Sequence, residues 1–245
     1  MAGIDEKLTI LAMDTATIVS SVAVATKERV LAELTAETRF THSETLVVNI
    51  EEVLRLADVK REELSAVAVS LGPGSFTGLR IGLAAAKAIA YALSIPLVGV
   101  PTLEVLAAAF PSPGAVVAPL IDAQKGNAYF SLYRYTERGL ACEKEVSVSS
   151  PQEIVETIAE VKSPVTIAGD FARKMVQRGV ELPGNATLAP ITHIMPRAAL
   201  VAARAIVRLE NGEGKSPMEL EPIYVRRSEA EVLWEKRHKE TEGKQ

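Results

Sequence analysis

Residues 65–93 read SAVAVSLGPGSFTGLRIGLAAAKAIAYAL. The apolar run from Ser65 to Leu71 predicts a buried strand, and the longer run from Thr77 to Leu93 predicts a helix. Between them, Gly72 and Gly74 permit positive φ, and Ser75 or Thr77 can cap the helix. A strand passed through a tight turn into a helix sets the chain in the α/β class.

The same grammar extends in both directions. Upstream, β-branched and aliphatic runs at 8–14, 19–26 and 29–37 predict three strands joined as hairpins, followed by a helix at 43–57. Downstream come a short strand at 96–100 and a helix at 102–110. After the Pro111-Ser112-Pro113-Gly114 break the pattern restarts, with strands near 115–122, 127–135 and 140–148. A helix opening at Pro151, a strand at 165–168 and a helix at 170–178 complete a second unit. The order βββαβα thus occurs twice, which predicts a duplicated actin-like, or ribonuclease-H-like, fold of two lobes. Residues 1–101 form the first lobe in this reading and 102–196 the second. The segment at about 197–228 is expected to return to the first lobe or run across both, leaving a charged tail at 229–245.

Composition narrows the function classes. At 245 residues the chain can bury a core without metal or disulfide staples, and with 4% aromatic residues that core must be aliphatic. Basic residues number 27 against 31 acidic, for a net charge of −4, and no third of the chain is basic. Phosphate neutralisation by this chain is therefore not expected, and any RNA would be held mainly by something else. Cys142 is the single cysteine and is read as a small core residue. The apolar run at 81–93 is too short for a bilayer span and carries Lys87, so a cytoplasmic location and no membrane partner are expected.

Two features of the central stretch suggest binding. The turn before the helix presents backbone N–H groups where an anion could sit, so Ser75, Thr77 and Arg80 are candidate contacts for a phosphate or nucleotide; a capped turn without ligand is the alternative. Within the helix, Gly78, Gly82, Ala86 and Ala90 recur every four residues as a row of minimal side chains. Such a row lets another backbone come close, and it is read as a docking ridge for a partner helix. On the helix at 43–57, Leu46 and Ile50 belong to an inward stripe, Val47 and Val48 add surplus apolar surface, and Leu46, Val47 and Ile50 are taken into the expected interface.

Asp14 and Asp122 end the first strand of each unit, a position suited to Mg-nucleotide chemistry, yet neither is followed by a phosphate-wrapping glycine; turn capping is the alternative. His42, His193 and His238 never form a metal-binding pair, so no metal site is expected. No serine lies in a Gly-x-Ser-x-Gly context.

The run Gly72-Pro73-Gly74-Ser75-Phe76-Thr77-Gly78-Leu79-Arg80-Ile81-Gly82 resembles the bacterial TsaB (YeaZ) family. Asp14-Thr15, His42-Ser43-Glu44, Asp122-Ala123, Tyr129 and Pro222-x-Tyr224-x-Arg226 fall in the family's order, and the resemblance runs from about Leu8 to Glu231. It departs at Val48, where many relatives continue with Leu-Leu-Pro. The resemblance implies a non-catalytic subunit of the complex that places a threonylcarbamoyl group on N6 of the adenosine following the anticodon, in tRNAs that read codons beginning with A. It also implies pairing through first-lobe helices with a metal-holding TsaD-like paralogue and a TsaE-like ATPase as further partner; from the helix pair itself, a homodimer is expected when the chain is alone. tRNA would be met indirectly, with no tightly bound cofactor and ATP or ADP shared with partner subunits. A free-standing ATP-dependent enzyme and a purely structural homodimer are the alternatives.

Overall fold

The computed structural model describes residues 8–37 and 42–226, together with the backbone but not the side chains of His42 and Ser43. The charged tail at 229–245 lies outside the described residues. The first unit comprises β1 (Ile10–Asp14), β2 (Val19–Ala25), β3 (Val30–Glu37), α1 (His42–Ala57), β4 (Ala66–Gly72), α2 (Phe76–Leu93) and β5 (Leu97–Pro101). After α3 (Thr102–Ala107) the second unit runs through β6 (Val116–Asp122), β7 (Ala128–Thr136), β8 (Gly139–Ser149), α4 (Pro151–Ala159), β9 (Val165–Ala168), α5 (Asp170–Gln177) and β10 (Ala186–Leu188). Last comes α6 (Ala198–Glu210).

Within the described residues two five-stranded sheets share one topology, β3-β2-β1-β4-β5 and β8-β7-β6-β9-β10. In each, the first three strands are antiparallel, and the fourth and fifth run parallel to the first. The fold is the duplicated actin-like, ribonuclease-H-like α/β architecture. β10 has no counterpart in the sequence reading, because Ala186-Thr187-Leu188 is too short to show a period.

Alternation along the strands separates two cores. Leu11 and Met13 of β1 with Val67 and Val69 of β4 face α1 and α2, whereas Ile10, Ala12, Ala66 and Ala68 face α6. Alanines on both sides, with Ala198, Ala202 and Ala205 on α6, bring that helix close to the sheet. The sheet also caps it: Ser21 Oγ accepts the Ala198 N–H at 2.8 Å and Glu33 accepts the Ala199 N–H at 3.0 Å. Buried Glu104 of α3 accepts from Arg204 Nε and Arg208 Nη2, each at 2.7 Å, and so ties the connection between the units to α6.

The small-residue row of α2 faces inward, not outward. Gly78, Gly82, Ala86 and Ala90 are all buried: the protein's own β1–β2 turn approaches the two glycines, and the two alanines pack in the core of the first lobe. A methyl on Gly78 would overlap the Thr15 carbonyl oxygen, and one on Gly82 would overlap Thr15 Oγ1. Thr15 Oγ1 donates to the Gly78 carbonyl at 2.7 Å, locking turn to helix. Leu46 and Ile50 are likewise buried, in the core shared with Val53, Leu83 and Ala86. Of the residues expected at a partner interface, Val47 alone is exposed.

Among the described residues α2 is also the one helix long and apolar enough to cross a membrane, but its inner side is pressed against the first sheet. Cys142 is not the core residue expected. It is exposed on β8, opposite Tyr133 of β7, with its Sγ donating to the Lys144 carbonyl at 3.2 Å, because β8 is an edge strand that is covered on one side only.

Candidate functional site

Both units contribute to a cleft of about 540 Å³. Its first-lobe wall is the β1–β2 turn at Ala16–Ile18 and the start of α2 at Gly74–Thr77; its second-lobe wall is Ile121–Gln124, Tyr129, Asp170 and Lys174. The C-terminal segment Ile223–Arg226 completes the lining. The first wall forms as it does because Gly72, at φ 107°, turns the chain at the end of β4, and Gly74 leaves room for the Ala16 carbonyl. The Ser75 N–H then donates to that carbonyl at 2.7 Å, and Ser75 Oγ caps α2 by accepting the Gly78 N–H at 3.2 Å.

Ser75 and Thr77 therefore stand on the cleft wall, Ser75 already engaged as a cap. Arg80 is not part of the lining. Its guanidinium lies over the Phe76 ring at 3.9 Å, and its Nε donates to Tyr224 Oη at 3.1 Å.

The two strand-end acids are occupied by the protein itself. Asp14 is fully buried, accepting the Ala16 N–H at 3.1 Å through Oδ1 and a close hydrogen bond from Ser70 Oγ through Oδ2. Asp122 Oδ1 accepts the Gln124 N–H at 2.7 Å. Lys174 Nζ sits between the second-lobe carboxylates, 2.8 Å from Asp122 and 3.0 Å from Asp170. With both strand-end acids capping turns and an ammonium between Asp122 and Asp170, these residues do not fit a Mg-nucleotide held by this chain alone. Among the described residues no group of three His, Cys, Asp or Glu side chains could hold a metal ion.

Burial acts to raise the Asp122 carboxyl, but the hydrogen bonds from Lys174 and the Gln124 N–H, with the charges of Lys174 and Arg178, outweigh it and hold the group below its ordinary value. Burial acts against the Lys174 charge, yet the two aspartates raise its pKa above the ordinary value. A depressed acid contributes stability above its unfolded pKa and loses it as pH falls through the folded value. A raised base contributes below its unfolded pKa and loses it as pH rises through the folded value. The pair should therefore stabilise the fold across neutral pH, with the contribution fading below the ordinary Asp value of 3.8 and above the ordinary Lys value of 10.5. Melting curves of the parent and Lys174→Met across pH should diverge between those limits and converge beyond them; a constant difference would assign the effect to packing instead.

The Bacillus subtilis tRNA threonylcarbamoyladenosine biosynthesis protein TsaB is 30% identical to this chain over 93% of it and 98% of the relative. This chain belongs to the TsaB family. The Escherichia coli TsaB protein is 29% identical over 93% of this chain and 97% of its own. A family model for TsaD, tRNA N6-adenosine threonylcarbamoyltransferase, matches residues 29–187, so the chain carries a TsaD-like domain. Two Pseudomonas aeruginosa crystal structures, YeaZ and a protein with similarity to peptidase YeaZ, superpose with TM-scores of 0.74 and 0.78. Each is 28% identical and covers 89% of this chain; 99% and 100% of those chains are matched. Membership places the chain among proteins of tRNA threonylcarbamoyladenosine biosynthesis.

Exposed apolar surface of this TsaB-family chain also lies outside the cleft. α1 and α2 lie side by side on the first sheet, and the outer side of α2 exposes Ala84, Ala88, Tyr91 and Ala92, with Ile81 half-buried beside them. Val47, Val48 and Leu56 are exposed on α1. Sequence reasoning selected the right pair of helices for surplus apolar surface, but the wrong side of α2.

Proposed function

We propose that the chain is a non-catalytic subunit of the complex that transfers a threonylcarbamoyl group to N6 of the adenosine following the anticodon in tRNAs that read codons beginning with A. The carrying observation is the outer side of α2, where Ala84, Ala88 and Ala92 lie exposed between Arg80, Lys87 and Tyr91 although the opposite side already fills the core. A helix apolar around most of its circumference calls for cover on both sides. The occupant we propose is a TsaD-like paralogue, whose own domain family this chain shares; a second copy of the chain takes the same face when the paralogue is absent. The strand-end acids Asp14 and Asp122, engaged in turn caps and an ion pair, support a role without catalysis. Nucleotide used by the complex would be held by partner subunits, including a TsaE-like ATPase, with Ser75 and Thr77 at most at its edge. The assembly would work in the cytoplasm, meeting tRNA through its partners.

The test combines purified TsaD-like and TsaE-like chains, tRNA and threonylcarbamoyl-adenylate, with and without this chain. Transfer should require this chain, and this chain alone should give none. Transfer by the chain alone, or equal transfer in its absence, would overturn the reading.

A further inference from the structure

The segment Pro222–Arg226 commits Ile223 and Tyr224 to the first lobe and Val225 and Arg226 to the second. On the first lobe, the Ile223 N–H donates to the Leu71 carbonyl at 2.7 Å, and the Ile223 side chain packs on the core under α1 and α2. Tyr224 places its ring 4.9 Å from that of Phe76, while its hydroxyl accepts from Arg80. On the second lobe, Val225 packs with the cluster that contains Ile121, Ala123 and Tyr129, and Arg226 Nη1 donates to the Ala123 carbonyl at 2.9 Å. Gly72 makes the crossing possible: a side chain there would press on the Ile223 carbonyl oxygen. Four consecutive residues thus join the two walls of the cleft and form part of its lining.

We propose that this segment is a clasp that fixes the angle between the lobes and closes one edge of the cleft, with Tyr224 and Arg226 as its two positioning residues. In this role the order of the segment matters, because Tyr224 holds the first-lobe wall through Phe76 and Arg80 while Arg226, two residues on, holds the Ala123 carbonyl of the second. Neither end acts alone. A clasp opens when either end is released, so the two residues should be coupled, whereas two independent surface contacts would add.

The test uses the full chain with spin labels on the native, exposed Cys142 of the second lobe and on Glu28→Cys in the β2–β3 turn of the first. Labelled protein is diluted into unlabelled protein, so that distances within one molecule dominate. Arg226→Gln is the principal variant, since it removes one hydrogen bond at the cleft rim and leaves the packed residues in place; Tyr224→Ala and the double variant complete the cycle. The parent should give one narrow distance distribution, and each variant a broader, displaced one, with the double variant no further displaced than either single. Exchange of the Ile223 amide, whose acceptor is on the first lobe, should accelerate about tenfold in Arg226→Gln, although the altered side chain contacts the second lobe. An unchanged distribution in Arg226→Gln, unchanged exchange at Ile223, or additive displacements in the double variant would overturn the clasp. Should the Tyr224 variants fail to fold, the Arg226→Gln distance and exchange measurements decide by themselves.

Discussion

Gly78→Ala should destabilise the protein by about 2–3 kcal/mol, against the sign that helix propensity alone would give. In an exposed helix interior the same change gains about 1 kcal/mol, because alanine loses less backbone entropy than glycine. Here the new methyl would occupy the position of the Thr15 carbonyl oxygen, which is backbone and cannot swing aside as a flexible side chain would. Either α2 lifts from the β1–β2 turn or the turn moves, and both break the buried hydrogen bond from Thr15 Oγ1 to the Gly78 carbonyl. For a chain of this size, the loss corresponds to a fall of about 5–10 °C in Tm. Gly184→Ala is the matched control: no atom lies within 4 Å of the added methyl, so that variant should be neutral or slightly stabilising. If Gly78→Ala also proved neutral or stabilising, the close approach of α2 to the turn would be wrong.

That approach shows where sequence reasoning stopped. The doubled βββαβα order was legible because each strand is a short apolar run punctuated by turn residues, and because the break at Pro111–Gly114 separates two similar series. The apolar character of α1 and α2 was legible too. Which side of α2 faces the sheet was not. A row spaced every four residues drifts by about 40° per step around a helix of 3.6 residues per turn. Gly78, Gly82, Ala86 and Ala90 consequently wind onto the side occupied by Leu79 and Leu83, and all six are buried together. Small residues signal close approach, but the sequence does not say whether the neighbour belongs to the same chain. The cleft was less legible still. Phe76 and Tyr224 are far apart in sequence, as are Asp122 and Lys174, and no local period links either pair. The motif Pro222-x-Tyr224-x-Arg226 was visible as a pattern, but its division between two lobes exists only in three dimensions.

Ala88→Glu should leave the monomer folded and abolish its assemblies. Ala88 lies on the exposed side of α2, so the monomer loses only the small difference in helix propensity between alanine and glutamate, about 0.4 kcal/mol. In an assembly the position would be covered by another helix, and the carboxylate would be buried without a partner. A penalty of about 3 kcal/mol weakens binding more than a hundredfold. Size-exclusion chromatography with light scattering should therefore show a monomer for the variant against the homodimer we propose for the parent, and no complex when the TsaD-like chain is added. Ala86→Glu, two residues away on the same helix, should behave differently: Ala86 is fully buried against the first sheet, so a carboxylate there should unfold the monomer, seen as lost circular dichroism. The contrast separates the two faces of α2. If a folded Ala88→Glu still dimerised and still captured the TsaD-like chain, the interface would lie elsewhere, and the surplus apolar surface of α1 and α2 would need another occupant.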